Sequence, residues 1–337
     1  MHQARLAASC VATDGSVGLV ACLPSSPFPF DADKGAMLAK CTTRQRHQVH
    51  SGQFNHDGSA IASASFDRDV FLWSTKGNCS NYAVLSGHGG AILEVHWSRD
   101  SKEVYTASTD KTAGVWDAES GTRIRRLRGH TSYVNSCCPA RDSQALVTGS
   151  DDGTIKIWDT RRRNYVHSLA NKFQVTAACY GADSNQLITG GLDNVVKIWD
   201  TRNLKVETEM EGHTDTITGL RLSPDGHFVL SNAMDNTVRI WDVRPFASGS
   251  RMTKVFKGAQ HNYEKNLIKC GWTPDGKHIG CGSADRHVYV WEVATQQIKY
   301  KLPGHTGTVH SVDFHPTEPI MLSTGNKGEM YVGELTL

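Results

Sequence analysis

Sixteen histidines and a spread of aspartates, among them His88, His130, His213 and His305 with Asp110, Asp152 and Asp235, are the residue types from which a Ser-His-Asp triad or a metal centre is built. Either chemistry needs a local frame that delivers a nucleophile or an ion to them. The chain has no Gly-x-Ser-x-Gly elbow, no Gly-x-x-x-x-Gly-Lys-Ser/Thr phosphate loop and no His-Glu-x-x-His signature. Its nine cysteines include no Cys-x-x-Cys pair from which a zinc site would start. They read as small core residues of a reducing compartment. No catalytic, cofactor or metal residue is assigned, and catalysis is not expected.

What positions the histidines and aspartates is a repeat. Trp73, Trp116, Trp158, Trp199, Trp241 and Trp291 follow one another at intervals of 43, 42, 41, 42 and 50 residues. Asp67, Asp110, Asp152, Asp193, Asp235 and Asp285 each stand six residues before one of them, and Gly-His pairs recur at 87–88, 129–130, 212–213 and 304–305. A degenerate seventh copy runs through Tyr331-Val332-Gly333-Glu334. Within one copy, short runs rich in β-branched, aromatic and apolar residues alternate with turn residues. In the third these are Tyr133 to Cys137, Ala145 to Thr148, Thr154 to Trp158 and Tyr165 to Leu169, which predicts four antiparallel strands. Ile155 and Ile157 point to one side of their strand and Trp158 to the other, so both faces of such a sheet must be covered. Stacking seven sheets around a channel covers them.

Bulk properties agree. The 337 residues are 39% hydrophobic and 21% charged, with a formal charge of +2, too balanced to drive the chain onto nucleic acid or anionic lipid by bulk electrostatics. No apolar stretch is long enough to cross a membrane as a helix. Val17 to Leu23 is a short apolar run, but with Arg5 alone before it and Asp14 interrupting it does not read as a signal sequence. Residues 1–35, with Pro24, Pro27 and Pro29, are expected to be an irregular or flexible tail, and 36–337 a single all-β, seven-bladed propeller. Because the last copy supplies no outermost strand, Met37 to Thr43 is expected to provide it and so remove an open edge.

The phased Gly-His, Asp and Trp-Asp elements resemble the WD-repeat family over roughly residues 37–337. The resemblance implies a seven-bladed propeller and a buried structural tetrad, carried here by His130, Ser150, Asp152 and Trp158 and by His88, Ser108, Asp110 and Trp116. The tetrads explain the triad-like residues as fold-forming networks. Ala170-Asn171 and Arg44-Gln45 replace Gly-His in the fourth and first copies, and Lys327 replaces Asp in the last, so packing is expected to hold those blades.

Function then falls to the surface. The residues before the turn aspartates share a face with the Gly-His loops, and there Phe66, Leu192 and Met234, with Tyr133, Phe173 and Tyr263, are candidate anchors for a protein partner. Phe246, in the segment that lengthens the fifth-to-sixth interval, is another. Arg125 and Arg126, with Arg161, Arg162 and Arg163, form a candidate rim for RNA or an acidic partner, against the simpler reading of solvated edge charges.

Stretches that the repeat does not require, such as Trp241-Asp242-Val243-Arg244-Pro245-Phe246, His261 to Leu267 and Tyr300 to His305, resemble one branch of the family, the WD-repeat subunits of the U5 small nuclear ribonucleoprotein. That implies a nuclear, non-catalytic scaffold in pre-mRNA splicing. Its partners would be the large U5 scaffold protein and other spliceosomal proteins, with RNA contact secondary and no membrane, cofactor or small-molecule substrate. The alternative is an adaptor that recruits a chromatin-modifying or ubiquitin-ligase partner.

Overall fold

The computed structural model describes residues 38–45, 47–76, 79–141, 144–247 and 249–335. The expected tail, residues 1–35, lies outside them, as does Met37. Blade 3 shows how the pattern folds. Its strands are Val134–Pro139, Ala145–Ser150, Thr154–Asp159 and Tyr165–Ala170, hydrogen-bonded in that order from the channel outward. Seven such four-stranded antiparallel sheets are present among the described residues. The inner strands of blades 1 to 7 are Val49–Phe54, Ile92–Trp97, Val134–Pro139, Val175–Tyr180, Ile217–Leu222, Cys270–Trp272 and Val309–Phe314. The seventh sheet is completed by Leu38–Arg44, which pairs antiparallel with Glu329–Glu334 and closes the ring as expected.

The core is divided into seven clusters, one in each gap between neighbouring blades. Leu72 and Leu85 of blade 1 pack on Ile92, Val104 and Trp116 of blade 2. Phe54, Phe71 and Trp73 of the same blade pack on Ile320, Leu322 and Met330 of blade 7, so closure buries as regular an interface as any other. This is why both faces of the three inner strands are apolar, and why the outer strands, at the edge of that cover, are mostly exposed. Tyr165–Ala170 is exposed except at Leu169.

Strand alternation sorts the connections. One face, called upper here, carries the links from blade to blade and the turns between second and third strands. The lower face carries the turns between first and second strands and the loops between third and outer strands. At each second-to-third turn one residue has positive φ: Arg68, Lys111, Gly153, Asn194, Asn236, Arg286 and Gly328. In blades 2, 3, 5 and 6 it follows a turn aspartate whose carboxylate accepts an N–H two residues on, as in Thr154 N to Asp152 Oδ1 at 2.9 Å. That bond stabilises the left-handed backbone even where the residue is not glycine.

The long fifth-to-sixth interval is divided between two places. One is the lower loop at 243–251 and the other the upper link at 258–269. Sequence reasoning located only the first.

Candidate functional site

The triad-like residues assemble as hydrogen-bond chains inside the blades. In blade 3, His130 Nε2 lies 2.7 Å from Thr148 Oγ1, and His130 Nδ1 lies 2.9 Å from Asp152 Oδ2. The Trp158 indole N–H donates to Thr148 Oγ1 at 2.8 Å. An indole N–H can only donate, so Thr148 accepts from Trp158 and keeps its own proton to give to His130 Nε2. In that arrangement the imidazole is neutral, with its remaining proton on Nδ1 directed at Asp152. Burial, opposed by Asp152, holds the His130 pKa below its ordinary value. Asp152 is lowered to about 2, because Thr154, the Thr131 N–H and His130 outweigh the opposing effect of burial.

Blade 2 repeats the chain through His88, Thr106, Asp110 and Trp116, with contacts of 2.7, 3.0 and 2.9 Å. Blade 5 does so through His213, Ser231, Asp235 and Trp241, with contacts of 2.6, 2.9 and 2.7 Å. Two assigned residues are thus corrected. The tetrad hydroxyls belong to Thr106 and Thr148, not to Ser108 and Ser150. Positions 148 and 150 lie on the same side of one strand, but Ser150 sits at its end, beside the turn. There its hydroxyl donates to the Tyr133 carbonyl at 2.7 Å and accepts the Asp152 N–H at 3.2 Å. Ser108 does the same with the Gly90 carbonyl and the Asp110 N–H. The missed signal was available, since a hydroxyl stands ten residues before Trp at Ser63, Thr106, Thr148, Thr189 and Ser231.

The order hydroxyl, Nε2, Nδ1, carboxylate is that of a Ser-His-Asp triad. It has no access to a substrate. Thr106, Thr148 and Ser231 are all 0% exposed, and their oxygens are already engaged by an indole N–H. Among the described residues no group of three or more His, Cys, Asp or Glu side chains is placed to hold a metal, and no helix is long and apolar enough to cross a membrane.

The irregular blades keep the chain of roles with other residues, rather than relying on packing alone. In blade 4, Lys197 Nζ lies 2.8 Å from Asn171 Oδ1 and 2.6 Å from Asp193 Oδ2, while Trp199 donates to Thr189 at 2.8 Å. In blade 1, Gln45 takes the histidine's place and donates to Ser63, which also accepts from Trp73 at 2.8 Å. In blade 7 the carboxylate is Glu329, which accepts the Thr306 N–H at 2.8 Å and lies 3.6 Å from His305 Nδ1. Blade 6 departs furthest. Cys281 stands where the hydroxyl would be, and the Trp291 N–H turns to the Lys257 carbonyl at 3.1 Å.

The candidate partner residues divide between the faces. Phe66, Tyr133, Phe173, Leu192 and Tyr263 are exposed on the upper face, Tyr263 at 91%. Met234 shares that face but is half-buried. They are spread over blades 1, 3, 4, 5 and 6 around the channel mouth. Phe66 meets the rings of His47 and His50, at 6.3 and 6.4 Å. Phe246, 97% exposed, projects from the lower face.

The arginine rim is partly committed within the chain. Arg126 pairs with the tetrad carboxylate of Asp110 at 2.9 Å, and Arg161 with Asp159 at 3.0 Å. Arg162 approaches Asp159 at 3.6 Å. Arg125 is half-buried, with an unpartnered Nε, and Arg163 is exposed.

The channel is crossed by two ion pairs. Lys269 of blade 6 reaches Glu94 of blade 2 at 3.2 Å, and Arg221 of blade 5 reaches Asp313 of blade 7 at 3.2 Å. Burial works to raise the Glu94 pKa, yet Lys269 and His96 bring it down to about 2. These pairs tie blades that are not neighbours.

Comparison with known proteins agrees with this geometry. The model of the WD domain, G-beta repeat, matches seven times, at residues 39–74, 79–117, 121–159, 163–200, 204–242, 253–292 and 296–332. The U5 small nuclear ribonucleoprotein 40 kDa protein of Mus musculus is 52% identical over 321 residues, 91% of this chain and 90% of its own. That of Dictyostelium discoideum is 51% identical over 290 residues, 86% of this chain and 82% of its own. The pre-mRNA-splicing factor cwf17 of Schizosaccharomyces pombe is 43% identical over 289 residues, 86% and 85% of the two chains. Seven matched repeats, seven blades and relatives aligned along most of their length show that the chain belongs to the WD-repeat family, in the branch that holds the U5 small nuclear ribonucleoprotein 40 kDa proteins.

Proposed function

We propose that the protein is a non-catalytic scaffold of the U5 small nuclear ribonucleoprotein, acting in pre-mRNA splicing in the nucleus and docking on that particle's large scaffold protein. The observation that carries this reading is identity of about half the residues with the 40 kDa U5 proteins over 86–91% of the chain. The geometry is consistent with it, because the triad-like groups are sealed in the blades and the exposed apolar residues lie on surfaces. A docking role needs a rigid platform with a few large anchors, and Phe66, Tyr133, Phe173, Leu192 and Tyr263 on the upper face have that character. Phe246 offers a second contact from below.

Direct RNA binding takes second place in this reading. Arg126 and Arg161 already neutralise carboxylates of their own chain, which leaves Arg163 as the most available cation of the proposed rim.

The test is to express the tagged full chain in cells of its source, purify it from nuclear extract at moderate salt and identify what accompanies it. U5 RNA together with the largest U5 protein is the expected result. An eluate free of U5 RNA but holding chromatin-modifying or ubiquitin-ligase subunits would replace this reading with the adaptor alternative.

A further inference from the structure

The lower mouth of the channel opens into a cavity of about 500 Å³. Above it the Arg221–Asp313 and Glu94–Lys269 pairs cross the channel. The cavity is a funnel that opens at the lower mouth, with these pairs at its inner end.

Two chemistries share its wall. One is apolar and rigid. Pro139, Pro224, Pro274 and Pro316 ring the opening, and the rings of Trp97, Tyr180 and Trp272 stand between the inner strands. The other is cationic. Arg99, Arg141 and Arg221 line the funnel, against Asp313 as the carboxylate in the lining, which Arg221 already pairs. Arg141 reaches from the blade 3 turn to the blade 5 turn, where its guanidinium donates to the Ser223 carbonyl at 3.1 Å and approaches the Pro224 carbonyl at 3.5 Å. Carbonyls fix its position across the mouth without neutralising its charge.

Tyr180 supplies a further observation. It is 4% exposed, and its hydroxyl has no hydrogen-bond partner among the described residues. The oxygen is itself sealed from the cavity, so Tyr180 contributes its ring to the wall rather than a hydrogen bond.

We propose that this funnel receives a peptide segment of a protein partner, in which apolar side chains pack on the proline and aromatic wall and one carboxylate meets Arg141. Arg141 is exposed at the mouth, where its fork-shaped guanidinium can meet a carboxylate with directional, charge-assisted hydrogen bonds that salt weakens. A nucleic-acid strand fits less well. Asp57, Asp100, Asp225 and Asp275 stand on the lower turns without lining the funnel, each held by a hydroxyl of its own turn. These carboxylates, of which Asp275 is answered by Lys277 at 3.8 Å, still disfavour a chain of phosphates more than a mostly apolar peptide that carries one charge. The funnel is on the opposite face from Phe66, Tyr133 and Tyr263, so this proposal does not depend on what those residues bind.

The test is selection from a random library of displayed 12-residue peptides with free C-termini. The targets are the immobilised full chain, its Arg141→Gln variant and its Leu222→Trp variant, which fills the funnel and leaves the charges in place. Peptides enriched on the parent at least about ten-fold over both variants, with an Asp, a Glu or a terminal carboxylate among apolar residues, are the expected result. Enrichment that both variants retain, enriched peptides without a carboxylate, or no enrichment overturns the proposal. So does a random 20-nucleotide RNA pool that the parent retains and Arg141→Gln loses. Should either variant melt early, the selected peptides carrying a photo-crosslinker are applied to the parent alone. Crosslinks to Trp97, Pro224 or Trp272 support the funnel, and crosslinks confined to the upper face refute it.

Discussion

Blades 2, 3 and 5 and blades 1, 4, 6 and 7 reach the same shape by different chemistry. In the first group one imidazole links a carboxylate at the turn to a hydroxyl and an indole in the sheet. In the second, Asn171 with Lys197, Gln45, and Glu329 with His305 supply part of the same donor and acceptor set from other side chains. Gln45 Oε1, Asp193 Oδ1 and His305 Nδ1 stay buried without a hydrogen-bond partner among the described residues, so the fold keeps its shape with a polar chain that is only partly satisfied. Blade 6 shows the limit. Its indole finds a backbone carbonyl, and Tyr289 donates to Asp285 at 2.6 Å.

The comparison breaks most clearly at the indole. Trp158→Ala removes a side chain of 0% exposure together with the donor to Thr148, and should cost about 3–5 kcal/mol in equilibrium unfolding. Trp291→Ala, whose partner is a backbone carbonyl, should fall in the same range. If it costs far less, packing in blade 6 is looser than the others and the equivalence fails.

The carboxylates sharpen the point. Asp152→Ala leaves His130 and the Thr131 N–H without their acceptor, at a cost of about 1–3 kcal/mol. Glu329→Ala should cost as much, although Lys327 occupies the repeat's aspartate position. A near-zero effect of Glu329→Ala in a denaturant titration would show that blade 7 stands on packing after all.

Acid separates the histidines. His130 and His213 are buried beside aspartates that work to restore their pKa, whereas burial takes His310 down to about 4, and burial, His310 and Lys269 take His50 down to about 3. Folded-state values below the ordinary 6.5 mean that the unfolded chain binds protons more tightly. The stability they represent is present above pH 6.5 and is lost as the pH falls through the folded values, at about 1.4 kcal/mol per pH unit for each group. Melting temperature should therefore decline from pH 6.5 towards pH 4. His310→Gln should flatten that decline more than His213→Gln does, and equal slopes would contradict the contrast.

The repeat made the fold legible. Tryptophans and aspartates in phase announced seven sheets, and the absent last strand announced closure by the chain's beginning. The tetrad hydroxyl was misplaced by two residues because a strand turns every second side chain the same way, so Ser150 and Thr148 look alike until the turn shows which is engaged. Glu329 escaped notice for a related reason. It lies on the strand rather than in the turn, and its longer side chain reaches back to the aspartate's place. The ion pairs across the channel could not be read at all, since Glu94 and Lys269 are far apart in sequence and meet only when the ring has closed.

The smallest expected effect on stability belongs to the upper face, and there the central claim, that the blades build and the faces bind, is most directly tested. A Phe66→Ala, Tyr133→Ala, Tyr263→Ala triple variant should melt with the parent, within about 0.5 kcal/mol per exposed site. Its recovery of U5 RNA from nuclear extract should fall by at least about ten-fold, a loss of about 1.4 kcal/mol in association. Full recovery of U5 RNA by a variant that melts with the parent would contradict the account and take the docking surface away from the upper face.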